Sequence, residues 1–311
     1  MELFFLGTGS GVPSKERNVS SLVLRMLEER GTTWVFDCGE GTQQQILNTT
    51  IRPRRIEAIF ITHLHGDHIY GLPGLLSSRS FQGGESPVTV YGPRGLKEYI
   101  DISLRLSGTH LRYPLYVEEV EEGLLFEDKQ FIVEAVRLEH GLESFGYLLK
   151  EKDQLGELLP SRLQELGIQP GPLYQQIKSR PETELEDGRI IRREDVTGPP
   201  KKGRKVAVLG DTRCLPELAD TLKGFDVLVH EATFASDQEE MAYNYFHSTV
   251  KQAASLAKEA GVKELILNHI SSRYQGKAVQ QLLAEARDIF PNTTISKDFY
   301  QHYIPRNHGG G

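Results

Sequence analysis

The strongest constraint on how this chain can fold is a run of metal-type donors, His63, His65, Asp67 and His68, set directly behind the β-branched, apolar residues 56 to 62. That apolar run reads as a buried strand. A lone histidine at a strand end is ordinarily solvated or satisfied locally. Three imidazoles and a carboxylate within six residues supply what a divalent ion needs, several N or O donors converging at about 2.0–2.2 Å. His63 and His65 are two apart in an extended segment and can point the same way. Asp67 and His68 stand at the start of a helix read from the apolar positions Leu72, Leu75 and Leu76, and can address a second ion. The pattern differs from H-E-x-x-H, whose histidines lie one helical turn apart.

Three further donors follow apolar runs in the same manner. His140 follows the strand 131–138, Asp211 follows 205–209, and His269 follows 264–267. Each alone is unremarkable; together with the 63–68 run they can complete a site. Residues 2–6 read as an edge strand closed by the tight loop 7–11. Residues 22–26, 33–37, 88–91 and 226–229 read as further strands, and 39–47 as the start of a helix. Pro93 is expected to open a helix in its first turn, and Ser248 to cap a helix over 249–260. Strands alternating with helices in both halves predict an α/β chain with two sheets covered by outer helices. The polar donors fall at strand ends, where open α/β folds place their sites.

Residues 151–204 break this pattern. They carry Pro160, Pro170, Pro172, Pro181, Pro199 and Pro200 and a single aromatic, Tyr174. From Lys150 to Lys205 there are 12 basic and 10 acidic residues, a local excess of basic charge in a chain of net −7. A long polar insertion between core strands is ordinarily functional. It is read here as a helix-rich arm standing off a core formed by 1–150 and 205–307, with 308–311 a tail. The global charge gives no sign of nucleic-acid binding, so any RNA contact must be local. No run is long and apolar enough to span a membrane, and the N-terminus lacks a signal-peptide pattern, so the expected location is cytoplasmic. Cys38 and Cys214 lack C-x-x-C spacing and are expected to be reduced, structural thiols.

The donor constellation resembles that of the metallo-β-lactamase superfamily. The resemblance implies an αββα sandwich and two zinc ions per chain, one on His63, His65 and His140 and the other on Asp67, His68 and His269, with Asp211 bridging. The same donors also suit Mn²⁺. Three segments resemble ribonuclease Z in its bacterial short form, over essentially the whole chain: the P-x-K-x-R-N loop at 13–18, the H-E-A-T segment at 230–233 followed by His247-Ser248-Thr249, and the inserted arm with Pro170-Gly171-Pro172 and the basic run 201–205. This implies an endoribonuclease that removes the 3′ trailer from precursor tRNA, leaving a 3′-hydroxyl on the tRNA and a 5′-phosphate on the trailer. It also implies a homodimer in which one subunit's arm holds tRNA for the other's site.

On that reading Asp67 accepts the proton of the attacking water and His247 is the general acid for the leaving 3′-oxygen. His230 and Glu231 hold a catalytic group in place. Lys15, Arg17 and Asn18 lie near the RNA 3′ end, and Lys201, Lys202 and Arg204 meet phosphates. The alternatives are a related phosphodiesterase for small or cyclic phosphodiesters, a thioester hydrolase of the same fold, and a catalytically inactive tRNA-binding homologue. The arm and the complete donor set disfavour all three.

Overall fold

The structure, a computed structural model, describes residues 1–306. The tail expected at 308–311 lies outside the described residues, as does residue 307. The described residues divide into two compact units, one of residues 1–150 and 205–304, the other of 151–204 with 305–306, so residues 305 and 306 do not join the core expected over 205–307.

The first unit is built on two seven-stranded sheets. One runs Gln301–Tyr303, Glu2–Gly7, Ser21–Met26, Thr32–Phe36, Ile56–Phe60, Val88–Gly92 and Leu115–Glu119. The other runs Thr293–Ile295, Glu264–Asn268, Val227–Glu231, Lys205–Val208, Ser144–Glu151, Phe131–Leu138 and Gly123–Glu127. The period-2 alternation of strand side chains sorts them into three apolar layers. Leu3, Phe5, Trp34, Phe36, Val227 and Val229 join a layer shared by the two sheets. Their strand neighbours Phe4, Leu6 and Val35 pack with Leu72, Leu76 and Ile100 of the helices Leu72–Phe81 and Leu96–Leu106. On the other sheet, Leu228 and Leu265 pack with Ala253 and Leu256 of Val250–Ala260 and Leu282 of Lys277–Arg287. Helix, sheet, sheet and helix follow one another, as an αββα sandwich requires.

Several local expectations are corrected. Glu2–Gly7 is no edge strand: it pairs on one side with Ser21–Met26 and on the other with Gln301–Tyr303, which closes the sheet beyond it. Pro93 does not open a helix. Its carbonyl accepts from the Leu96 N–H at 3.2 Å in a turn, and the left-handed Gly95, with φ 96°, precedes the helix Leu96–Leu106. The cap of Val250–Ala260 is Thr249, in a reciprocal capping box with Gln252. The Ser248 hydroxyl instead donates to the Thr212 carbonyl at 2.8 Å. The helix expected from Asp67 onward is two, Gly66–Ile69 and Leu72–Phe81. Between them the Gly71 N–H donates to the Cys38 carbonyl at 2.9 Å. A Cβ on Gly71 would meet the Gly39 carbonyl oxygen at 2.1 Å, so this approach requires glycine. Cys38 is buried, Cys214 is half-buried, and both are free thiols.

The second unit has its own small core of Leu163, Ile168, Ile177, Ile191 and Val196. Two short helices, Pro160–Glu165 and Pro172–Ser179, are followed by a hairpin of Glu182–Glu184 and Ile190–Arg192. It is therefore mixed rather than helix-rich. Tyr174 packs against that core.

Candidate metal centre

The first sheet delivers the 63–68 loop from the end of Ile56–Phe60, and the second delivers Asp211 and His269 from the ends of Lys205–Val208 and Glu264–Asn268. His140 follows Phe131–Leu138. The expected donors meet in space. His65 Nδ1 lies 3.0 Å from His63 Nε2 and 3.1 Å from His140 Nε2. Asp67 Oδ2 lies 3.5 Å from His68 Nε2 and 3.4 Å from His269 Nε2, and those two nitrogens are 3.3 Å apart. Asp211 Oδ2 stands between the sets, 3.7 Å from His63 Nε2, 3.5 Å from His68 Nε2 and 3.3 Å from His269 Nε2. Four donors about 2.0–2.1 Å from one tetrahedral ion are themselves about 3.3–3.4 Å apart. The separations observed match that edge length, so these histidine and aspartate clusters are able to bind metal.

The far ring nitrogens support the same conclusion. A ligating imidazole is ordinarily oriented by a hydrogen bond on its other nitrogen. His63 Nδ1 is 3.0 Å from the Thr62 hydroxyl, and His68 Nδ1 is 2.7 Å from Asp37 Oδ2. His140 Nδ1 is 2.8 Å from the Phe246 carbonyl, and His269 Nδ1 is 3.0 Å from the Thr233 hydroxyl. Asp37, Phe246 and His269 all adopt positive φ, at 55°, 59° and 56°. Such strain in non-glycine residues clusters at functional sites.

Charge follows burial. Burial pushes the imidazoles of His63, His65 and His140 below their ordinary pKa, which favours the neutral form a metal needs. Burial would raise the Asp211 carboxyl, but His269, His68 and His63 outweigh it and hold it well below the carboxylate range. Burial likewise opposes a charged His247, yet Glu231 and then Asp211 raise its pKa to about 9. Glu231 Oε1 lies 2.9 Å from His247 Nδ1 and accepts from the Ser248 N–H at 2.9 Å. His230 is buried, and its Nδ1 donates to the Glu231 carbonyl at 2.6 Å. It fixes the backbone at Glu231 rather than a catalytic side chain.

Other expected contacts are corrected. Arg17 is 8% exposed, and its guanidinium donates to the Thr8 hydroxyl and the Ser296 carbonyl, each at 2.7 Å. Asn18 donates its side-chain N–H to the Glu40 carbonyl at 2.8 Å and its backbone N–H to Asp298 at 2.7 Å. Both are consumed in holding their loop. Lys15 is exposed. In the second unit Arg204 is 2% exposed and paired with Glu151 at 2.8 Å, so it is not open to a phosphate. Lys201 pairs with Glu157, and Lys202 with Asp153 at 2.7 Å. Such surface pairs hold weakly, so those two lysines can exchange partners.

Sequence reasoning missed Asp37 and Thr233. Asp37 was placed inside a strand that stops at Phe36. The polar residue at a strand end that marked Asp211 marks it too. Thr233 lies in the H-E-A-T segment but reads there as an ordinary hydroxyl.

Two sheets with this cluster at their strand ends define a metal-dependent hydrolase of the metallo-β-lactamase fold. A beta-lactamase superfamily domain model matches residues 192–270, and a model described as anti-Pycsar protein Apyc1 matches residues 1–152. The chain is 58% identical to ribonuclease Z of Geobacillus kaustophilus over 306 residues, covering 98% of this chain and 100% of that one. It is 58% identical to ribonuclease Z of Bacillus cereus over 307 residues, with the same coverage. Among solved structures, human tRNase Z, short form, superposes with TM-score 0.71 at 31% identity, covering 98% of this chain and 100% of that one. The metallo-beta-lactamase fold protein YhfI from Bacillus subtilis superposes at 0.65 with 16% identity, covering 97% and 98%, a likeness of fold alone. The chain belongs to the ribonuclease Z family.

The Asp37 contact generates a test. Asp37→Ala removes the acceptor that orients His68. Metal titration by calorimetry is expected to show about 10–100-fold weaker binding. Unchanged affinity would mean that His68 needs no orienting partner.

Proposed function

We propose that the two donor sets hold two zinc ions and that the chain uses them to cut the 3′ trailer from precursor tRNA, leaving a tRNA 3′-hydroxyl and a trailer 5′-phosphate. As a ribonuclease Z family member the chain is an endoribonuclease. The observation that carries the reading is the meeting of two donor sets on one shared carboxylate, Asp211. His63, His65 and His140 are assigned to one ion, and Asp67, His68 and His269 to the other. When bound, such ions polarise a phosphoryl oxygen and lower the pKa of a water toward about 7. The mixture of nitrogen and oxygen donors also suits Mn²⁺.

The chain's own groups supply the proton transfers. Asp67 is the acceptor for the proton of the attacking water, and the Gly11 N–H on Asp67 Oδ2 at 2.8 Å holds that carboxylate in orientation. His247 is the donor to the leaving 3′-oxygen. The Glu231 carboxylate beside Nδ1 favours the protonated form of His247. Glu231 on Nδ1 leaves Nε2 as the nitrogen that donates. Lys15, exposed on a loop tied to Asp67 through Gly11, is read as the contact for the RNA 3′ end.

The arm supplies tRNA binding, with Lys201 and Lys202 as its candidate phosphate contacts. It contributes none of the donor atoms and has a core of its own. Both facts suit an element that serves a neighbouring subunit, so the assembly is read as a homodimer with arms acting in trans. The domain division is read as 1–150 and 205–304 catalytic and 151–204 the arm. No helix among the described residues is long and apolar enough to cross a membrane. The substrate puts the enzyme's work in the cytoplasm. An inactive tRNA-binding homologue is disfavoured because every expected donor is in place.

Two experiments test this. His247→Ala should slow cleavage of a precursor tRNA carrying a 3′ trailer by about 10²–10⁴-fold. A nitrophenyl phosphodiester, whose leaving group departs without a proton, should be slowed far less, with zinc content unchanged. Equal losses on both substrates would remove His247 as the acid. Replacing residues 151–200 by a Gly/Ser linker should strongly weaken precursor-tRNA cleavage while sparing the nitrophenyl substrate. Parallel losses would mean that the arm supports the catalytic unit instead.

A further inference from the structure

We infer that Arg213 is a positioning residue that clamps the helix end and turn over 243–247 and through them orients both His140 and His247. The guanidinium carbon lies 3.8 Å from the Tyr243 ring centroid and 3.9 Å from that of Phe246. Both distances are those of close cation–π contacts, and a planar guanidinium fits between two rings as an ammonium does not. Its Nε donates to the Tyr243 carbonyl at 2.8 Å, and Nη1 pairs with the Glu139 carboxylate at 2.5 Å. The backbone N–H of Arg213 donates to the Glu139 carbonyl at 2.9 Å. One side chain thus ties together the residue before His140, the turn before His247, and the segment that carries Asp211.

What the clamp holds is used twice. The Phe246 carbonyl is the acceptor for His140 Nδ1 at 2.8 Å, and it points there from a left-handed backbone with φ 59°. A phenylalanine leaves that conformation readily unless something over-determines it. The next residue is His247, whose N–H donates to the Ala242 carbonyl at 2.8 Å and whose ring lies 5.2 Å from that of His140. Releasing the turn therefore loosens a ligand of the His63, His65 and His140 set and displaces the proton donor at once. Arg213 touches neither donor set, and its side chain is 15% exposed, so it is a support and not a phosphate anchor.

The inference rests on the metal reading above, and its test keeps the two apart. Ion content is measured per chain against increasing chelator, and kcat and KM are measured on a precursor tRNA. Wild-type protein is expected to hold two ions; fewer would overturn the metal reading and the clamp together. In Arg213→Ala one ion should leave at about 10–100-fold lower chelator strength, the range for lost support of a ligand, while the other is retained. kcat should fall with KM changed little. Arg213→Lys keeps the charge but cannot fill the slot between the rings, and should behave like alanine. Tyr243→Ala, at a residue 62% exposed, removes one face of the slot without touching the core and should shift retention in the same direction. Wild-type retention in Arg213→Ala and Tyr243→Ala would overturn the clamp. So would a rise in KM alone with both ions retained, which would make Arg213 a substrate contact.

Discussion

The arrangement depends on one buried carboxylate. Asp211 is 3% exposed, and its Oδ2 faces the imidazoles of His63, His68 and His269 within 3.7 Å. An ionised carboxylate taken out of water is costly unless cations and hydrogen bonds compensate it. Asp37, Glu231 and Asp67 crowd the same region, each in contact with an imidazole. Protonating every imidazole is a poor answer, because burial drives His63, His65 and His140 toward neutrality. Divalent cations between the donors would resolve both demands, neutralising the carboxylates and accepting the lone pairs of uncharged rings.

The fold serves this cluster by ending strands of both sheets beside it. Three of the strands that feed the site lie in parallel pairings: Ile56–Phe60 in one sheet, Lys205–Val208 and Glu264–Asn268 in the other. Parallel neighbours finish at the same end, so Asp211 and His269 leave one end of their sheet together, while His63 leaves the other sheet beside them. The fine positioning is left to the turns. Left-handed backbone at Asp37, Phe246 and His269 aims a carboxylate, a carbonyl and a ring inward. Hydrogen bonds with the Thr62 and Thr233 hydroxyls, and to the Glu231 carboxylate, then fix the rings.

The seven candidate donors, His63, His65, Asp67, His68, His140, Asp211 and His269, stand out in sequence because each follows an apolar run that must be buried, and the structure gathers them into clusters able to hold metal. The sandwich was legible for a related reason, the alternation of strands with helices. What escaped was set by tertiary context. Glu2–Gly7 looks like an edge until residues 301–303, remote in sequence, pair beside it. Arg17 and Arg204 look like surface cations, and their burial is visible only once Thr8, Ser296 and Glu151 are seen around them. Asp37 was misplaced by one residue of strand, enough to hide that it leaves the sheet and turns toward His68. Local pattern reports what must be buried; it does not report which polar partner a buried group will meet.

The central claim is that these donors form two metal pockets sharing Asp211. Anomalous X-ray diffraction from crystals grown with zinc tests it most directly. Two peaks are expected in each chain, one among His63, His65 and His140 and one among Asp67, His68 and His269, with Asp211 in contact with both. A single peak, or two peaks of which neither touches Asp211, would contradict the account.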